Sequence, residues 1–576
     1  MEKHLVNIRE LVDENLIVKI VAPSATGKST LLPMYLGQKY SLEVVVADKN
    51  IADALNALKF QNVTYISSKE FLLKISIKNR IFPELLVLDE MDTGSVENFL
   101  ITSLWKKSKK SGKLVLLSSL PHSLFPDFPT YTISTDKIRE IRYIPSVTNL
   151  VNFVYDVHNS GVEGDFLIFI LKNEIQTLLE KLKGVIKDAE FYSSEKLDES
   201  LYRSSNLRKI VVASDMAKTS LTLKNLGVVF DTMLEKRIER TITGGAKMQI
   251  QYISKRDADL RAKPGAITYR FISEEEFHDL PEITEELLFR IPLHHLMIDI
   301  YTYGLDPFDL LENKDELDFM FDLFLKYNIV DVNYKVTEKG KLLRKLPFGI
   351  RTSLLCLQDP RYPTIVLASL IENFTSGIFV FKNSEDDENN EKDEEFEVDY
   401  EVDIQKHIRE YFEKFRGYSD AHTFLNIFNE SRKFNLDEGF SHLKEWCEEN
   451  FISYPYLKNV HNSVQKASKI LNIEVEDFDI NEYISSIHRT LQGIYIEKRM
   501  NLVLESEDNA EYLDFQGVTY TIDPQSINQI QLSKPLSLYS LINSTLDDTN
   551  LISFSYIIEP PPQIEEENIE RAIEDY

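Results

Sequence analysis

The residues best suited to chemistry are Ala22-Pro23-Ser24-Ala25-Thr26-Gly27-Lys28-Ser29-Thr30, directly after the apolar run Leu16-Ile17-Val18-Lys19-Ile20-Val21. A buried strand that enters a tight loop ending Gly-Lys-Ser is built to hold nucleotide phosphates. Backbone N–H groups and the start of the next helix face the anion, Lys28 adds a point charge, and the Ser29 hydroxyl can ligate Mg²⁺. Ala22 and Ala25 stand where glycine is usual, and alanine is the smallest departure in such an anion nest. A second apolar run, Leu85-Leu86-Val87-Leu88, ends in Asp89-Glu90-Met91-Asp92. Acidic residues at a strand's carboxyl end sit where α/β sheets bind ligands. The two segments together predict binding and hydrolysis of a nucleoside triphosphate.

The elements that must position them follow from periodicity. Val44-Val45-Val46, Val63-Thr64-Tyr65-Ile66, Leu85 to Leu88 and Leu114-Val115-Leu116-Leu117 are short, apolar and β-branched. Such runs suit a parallel sheet covered on both faces. Phe166-Leu167-Ile168-Phe169-Ile170, Ile210-Val211-Val212-Ala213 and Val228-Val229-Phe230 predict a second sheet, and Gly244-Gly245 predicts a hairpin turn. From about residue 277 the pattern is mainly helical, with a small wing over 334–340. Strands return after about 485, notably 518–522 and 552–558, before Pro560-Pro561-Pro562.

Composition narrows the classes. A chain of 576 residues should hold about three to five domains. No apolar stretch reaches the roughly 20 residues that span a bilayer, and the N-terminus has no signal-peptide core. Two cysteines, Cys356 and Cys447, do not make a disulfide framework, and a reducing compartment fits. The net charge of −28 argues against a nucleic-acid partner until its distribution is read. Residues 385–403 carry −11 and residues 559–576 carry −6, so more than half lies in two acidic runs. Such runs are normally solvated and disordered; the functional alternative is partner docking, or competition with nucleic acid for a channel. The remainder permits a local cationic channel.

Taken in order, these strings resemble the DEAH-box helicases along nearly the whole chain. Val212-Ala213-Ser214-Asp215-Met216-Ala217-Lys218-Thr219-Ser220-Leu221-Thr222-Leu223 is similar to their motif V, and Gly164-Asp165-Phe166-Leu167-Ile168-Phe169 to their motif IV region. Ser118-Ser119-Leu120 occupies the place of Ser-Ala-Thr. The resemblance implies an α/β fold class: two tandem RecA-like parallel-sheet domains followed by winged-helix, helical (ratchet-like) and OB-like β domains. The expected spans are 1–130, 131–275, 276–350, 351–480 with an acidic insertion at 384–403, 481–558, and an acidic tail at 559–576. The compact build resembles a viral or mobile-element version.

The resemblance also implies roles. Lys28 contacts the β- and γ-phosphates of ATP or another NTP, Ser29 ligates Mg²⁺, Asp89 holds that metal, and Glu90 orients and deprotonates the attacking water. Thr219 meets a nucleic-acid phosphate, although a helix cap is an equal reading of that hydroxyl. The implied partner is a single strand, RNA before DNA, with a protein partner through the acidic loop or tail and no membrane. The implied setting is intracellular and cytoplasmic, with virion association as a second one. Some positions depart from the family. Asp92 replaces His, and Asp48-Lys49-Asn50-Ile51 replaces Gln-Pro-Arg-Arg. The arginine-rich motif VI shrinks to Ile253-Ser254-Lys255-Arg256-Asp257-Ala258-Asp259-Leu260-Arg261-Ala262-Lys263-Pro264-Gly265, where the alignment keeps Arg261. An arginine finger is worth about 10³–10⁵ in rate. Either Arg261, Lys263 or Arg256 supplies that cation, or the chain is a helicase-shaped scaffold that binds without turnover.

Overall fold

A computed structural model describes residues 1–557 except 24–25, 78–81, 109–111, 120–127, 134–139, 146–148, 195–200, 202–204, 216–217, 219–222, 224, 241–244, 264, 285–289, 375–413, 416, 418, 435–439, 506–509, 515, 517, 523–536 and 547–548. The expected acidic insertion and acidic tail lie outside the described residues.

The first sheet is built from β1 (Ile17–Val21), β2 (Leu42–Val46), β3 (Val63–Ser67), β4 (Leu85–Leu88), β5 (Lys113–Ser118) and β6 (Thr130–Thr132), in the order β3-β2-β4-β5-β1-β6. Every pairing is parallel. All four side chains of β4 are buried, as a strand covered on both faces requires. The edge strand β6 straddles the expected boundary at 130, because it pairs with β1. The second sheet contains β7 (Glu140–Tyr143), β8 (Asp165–Phe169), β9 (Ala189–Ser193), β10 (Arg208–Ala213), β11 (Leu226–Asp231) and β14 (Ile267–Arg270), ordered β7-β14-β11-β8-β10-β9. It too is parallel. Between β11 and β14 the chain forms a two-stranded sheet, β12 (Leu234–Arg240) with β13 (Ala246–Tyr252); Gly244 of the expected turn lies outside the described residues.

The chain divides into two compact units. One comprises Met1–Glu239, Met248–Ile291 and Asp299–Glu312, and so contains both parallel sheets. The other comprises Arg240–Lys247, Pro292–Ile298 and Asn313–Tyr576. From Asn313 the described residues of this second unit are mainly helical up to Tyr495; β15 (Arg499–Glu505), β16 (Ala510–Leu513), β17 (Thr519–Ile522), β18 (Ser537–Leu546) and β19 (Thr549–Ile557) then close into a barrel in the order β15-β16-β17-β19-β18. Two expectations shift here. The expected wing is cut short, because Thr337 caps Glu338–Lys345 by accepting from the Gly340 N–H; only a Val330–Val336 bridge remains. The strands resume later than expected, because Ile480–Tyr495 is an amphipathic helix capped by Asp479. Cys356 and Cys447 are unlinked and buried, as a reading of them as small hydrophobes predicts.

The hairpin turn has a glycine requirement within the second unit. A Cβ on Gly245 would lie 1.8 Å from Glu372 Oε1 and 2.8 Å from the Gly349 nitrogen. Glu372 is buried on the helix Tyr362–Asn373, and its Oε2 accepts from the Gly349 N–H at 3.0 Å and the Thr352 hydroxyl at 2.7 Å. Gly245→Ala should push the carboxylate off those donors, at about 1–3 kcal/mol. Hydrogen exchange at the Gly349 amide checks this: it should quicken in the variant, and unchanged protection would show that the turn yields instead.

Candidate active site

The Ala22–Thr30 loop, the candidate for phosphate, begins where β1 ends. The Ala22 N–H is held by the Ser118 carbonyl at 3.0 Å, so β5 fixes the loop's entry. Ser24 and Ala25 lie outside the described residues. The Thr26 hydroxyl donates to the Pro23 carbonyl at 2.8 Å. Gly27 takes φ +90°, where a Cβ would also come within 2.8 Å of Leu31 Cβ; glycine alone adopts this turn readily. Lys28 is buried, and its ammonium donates to the Ala22 and Pro23 carbonyls and, at 3.1 Å, to Ser119 Oγ. Neutral oxygens are weak partners for an ammonium, and a polyphosphate forms stronger charge-assisted bonds. Ser29 and Thr30 are half-buried just before the helix Leu31–Leu36.

Asp89 and Glu90 emerge from the carboxyl end of β4. The Asp89 N–H bonds the Val45 carbonyl at 3.0 Å, and Asn98 donates to the Asp89 carbonyl at 3.2 Å. The Asp89 carboxylate is buried and accepts the Glu90 N–H at 2.9 Å. Glu90 is left-handed, at φ 54° and ψ 43°. A non-glycine residue pays about 1–2 kcal/mol for that, and such strain clusters at functional sites. The Thr93 hydroxyl braces the turn by donating to the Glu90 carbonyl at 2.8 Å. The Asp92 side chain lies outside the description. At the expected departure over 48–51, Asp48 caps the helix Lys49–Asn56 by accepting from the Ile51 N–H.

Ser29 and Asp89 are hard oxygen donors, which suit Mg²⁺. Among the described residues, no cluster of three or more His, Cys, Asp or Glu side chains could hold a metal. The donor set therefore fits an ion that keeps several waters and takes phosphate oxygens, which is how Mg²⁺ enters nucleotide sites.

Two residues that sequence reading left in a supporting role turn out to bind the loop. Ser119 meets Lys28, as above. Tyr65 on β3 donates its hydroxyl to the Ser29 carbonyl at 2.7 Å. Burial, and next the nearby Asp89 carboxylate, push its phenol well above the ordinary tyrosine range. No sequence signal marks Tyr65, since a strand tyrosine is commonplace.

In the second sheet the expected motif VI cation is committed to its own domain. Arg261 ends the helix Lys255–Arg261 and is 1% exposed. Its guanidinium donates to Asp215 at 2.9 and 3.1 Å, to Asp231 at 2.7 Å and to the Leu234 carbonyl at 3.0 Å. It also lies over the Phe169 ring. Lys218 bridges Asp215 at 2.9 Å and Asp257 at 2.7 Å. Burial pushes the Asp257 carboxyl up, but Lys218 with the Thr284 and Ser254 hydroxyls outweighs it and holds the group at about 2. Lys263 is buried and donates to the Lys218 carbonyl, while Arg256 is half-buried. Thr219 lies outside the described residues.

No protein-family model matches the chain. It is 21% identical over 553 residues to the ATP-dependent RNA helicase DHX33 of Drosophila melanogaster, covering 82% of this chain and 76% of that protein. It is 21% identical over 441 residues to an uncharacterized protein of Acanthamoeba polyphaga mimivirus, covering 70% of this chain and only 55% of the viral one. Its fold is similar to that in the crystal structure of the Escherichia coli DEAH/RHA helicase HrpB, with a TM-score of 0.53 at 15% identity, covering 98% of this chain and 71% of the other.

Proposed function

We propose that this chain, a divergent relative of the DEAH-type ATP-dependent RNA helicases, is an NTP-driven helicase or translocase that moves along a single strand, RNA before DNA. The observation that carries the reading is the meeting of a Gly27-Lys28-Ser29 loop and a strained Asp89-Glu90 turn at the carboxyl ends of one parallel sheet. In this reading Lys28 swings from the Ala22 and Pro23 carbonyls to the β- and γ-phosphates. Ser29 and Asp89 would hold Mg²⁺, which when bound neutralises phosphate charge. Glu90 orients the attacking water and takes its proton, while the backbone of residues 22–30 cradles the phosphates. Thr219 is our choice for a nucleic-acid contact.

The spans 1–130 and 131–275 are read as RecA-like domains, 276–350 as a winged helix, 351–480 as a ratchet-like domain and 481–558 as an OB-like domain. A viral or mobile-element origin is supported by the mimivirus relative. An intracellular or virion setting and a protein partner for the acidic segments belong to the same proposal. No described helix is long and apolar enough to cross a membrane.

Phosphate release measured with and without single-stranded RNA tests the reading. Wild-type protein should turn over faster with the strand. Lys28→Ala should lose about 10- to 150-fold in nucleotide affinity, the size of one charge-assisted bond, and with it the turnover. No release with any nucleotide or strand would leave the scaffold reading.

A further inference from the structure

We propose that Tyr65 is a positioning residue for the Mg²⁺–phosphate site; the inference rests on the nucleotide-site reading above. The argument starts at the edge of the first sheet. Among the described strands β3 pairs only with β2, so its outer backbone groups need partners from elsewhere. Asn56, at the end of the helix Lys49–Asn56, supplies them. Its Oδ1 accepts the Tyr65 N–H and its Nδ2 donates to the Tyr65 carbonyl, both at 2.8 Å. This two-point clamp fixes the Tyr65 backbone, and the ring is 3% exposed within the apolar core of the first sheet. The side chain therefore has little freedom, and its hydroxyl is delivered to one place.

That place is the Ser29 carbonyl, at 2.7 Å. Ser29 is the residue whose hydroxyl faces the metal in our reading, and a bond to its backbone sets the angle at which that hydroxyl is presented. The same phenol lies close enough to Asp89 to feel its charge. Tyr65 is thus bonded to the backbone of one of the two protein donors of the proposed ion site. An ordinary core tyrosine would satisfy its hydroxyl within the sheet or in water; this one spans from β3 to the phosphate loop.

The test is a titration of Mg²⁺ into purified protein carrying a fluorescent, non-hydrolysable ATP analogue. Tyr65→Phe keeps the ring and removes only the hydroxyl. It should raise the Mg²⁺ concentration at half-saturation by about 2- to 12-fold, the size of one neutral hydrogen bond, and change the analogue's metal-free affinity far less. Because Tyr65 acts through Ser29, the effect should largely vanish in a Ser29→Ala background. A purely structural role predicts instead a lowered unfolding midpoint and an additive double variant. Identical Mg²⁺ dependence in wild type and Tyr65→Phe, or additivity with Ser29→Ala, overturns the inference while leaving the nucleotide site intact. Wild-type protein that binds no analogue with or without Mg²⁺ overturns the nucleotide-site reading, and this inference with it.

Discussion

Glu90→Gln is expected to bind nucleotide as wild type does and to release phosphate about 10²–10⁴-fold more slowly, the usual worth of a positioned general base. The two side chains have nearly the same shape, so the left-handed turn at Glu90 and its Thr93 brace should survive. Asp89 keeps its bond to the residue-90 N–H, which is a backbone group and indifferent to the substitution. Only the proton acceptor is lost. Single-turnover release, measured beside equilibrium nucleotide binding, separates the two effects. Loss of both together would assign Glu90 to building the site. Wild-type release would remove it from the reaction, and wild-type biological function in a non-hydrolysing Glu90→Gln would support the scaffold.

The parallel sheets were legible because short apolar, doubly buried strands need no partner information to be recognised. Leu85 to Leu88 and Val44 to Val46 declare themselves by composition, and both strands are where the apolar runs place them. The barrel was half legible. The runs at 518–522 and 552–558 match two of its strands, Thr519–Ile522 and Thr549–Ile557, but Arg499–Glu505 alternates too weakly to stand out. The candidate loop over 22–30 and the Asp89-Glu90 turn stand out as local strings, and both fall at strand carboxyl ends. What could not be read was anything made by pairs distant in sequence. Tyr65 reaching Ser29, Ser119 reaching Lys28 and Lys218 reaching Asp257 depend on strand order and helix placement. Arg261 shows the limit most sharply. Its position in a degenerate motif suggested a phosphate cation, and only the arrangement of Asp215 and Asp231 shows what it faces.

Arg261→Ala should therefore act first on stability. The substitution leaves Asp231, which has no exposed surface, without its cation, and leaves Asp215 to Lys218 alone. Breaking a buried ion pair from one side costs about 3–5 kcal/mol, and urea unfolding followed through the second sheet should show it. A phosphate-reaching finger predicts the opposite pattern: a loss of about 10³–10⁵ in turnover with the unfolding midpoint unmoved. Arg261→Lys sharpens the distinction. A lysine keeps the charge but lacks the planar fork that spans Asp215 and Asp231 together, so it should recover part of the stability. If Arg261→Lys restores stability while turnover stays lost, the guanidinium acts on phosphate after all. If both recover together, Arg261 serves the second sheet. The search for a cation at the nucleotide then turns to Arg256, which shares the helix Lys255–Arg261, and to Lys263 just beyond it.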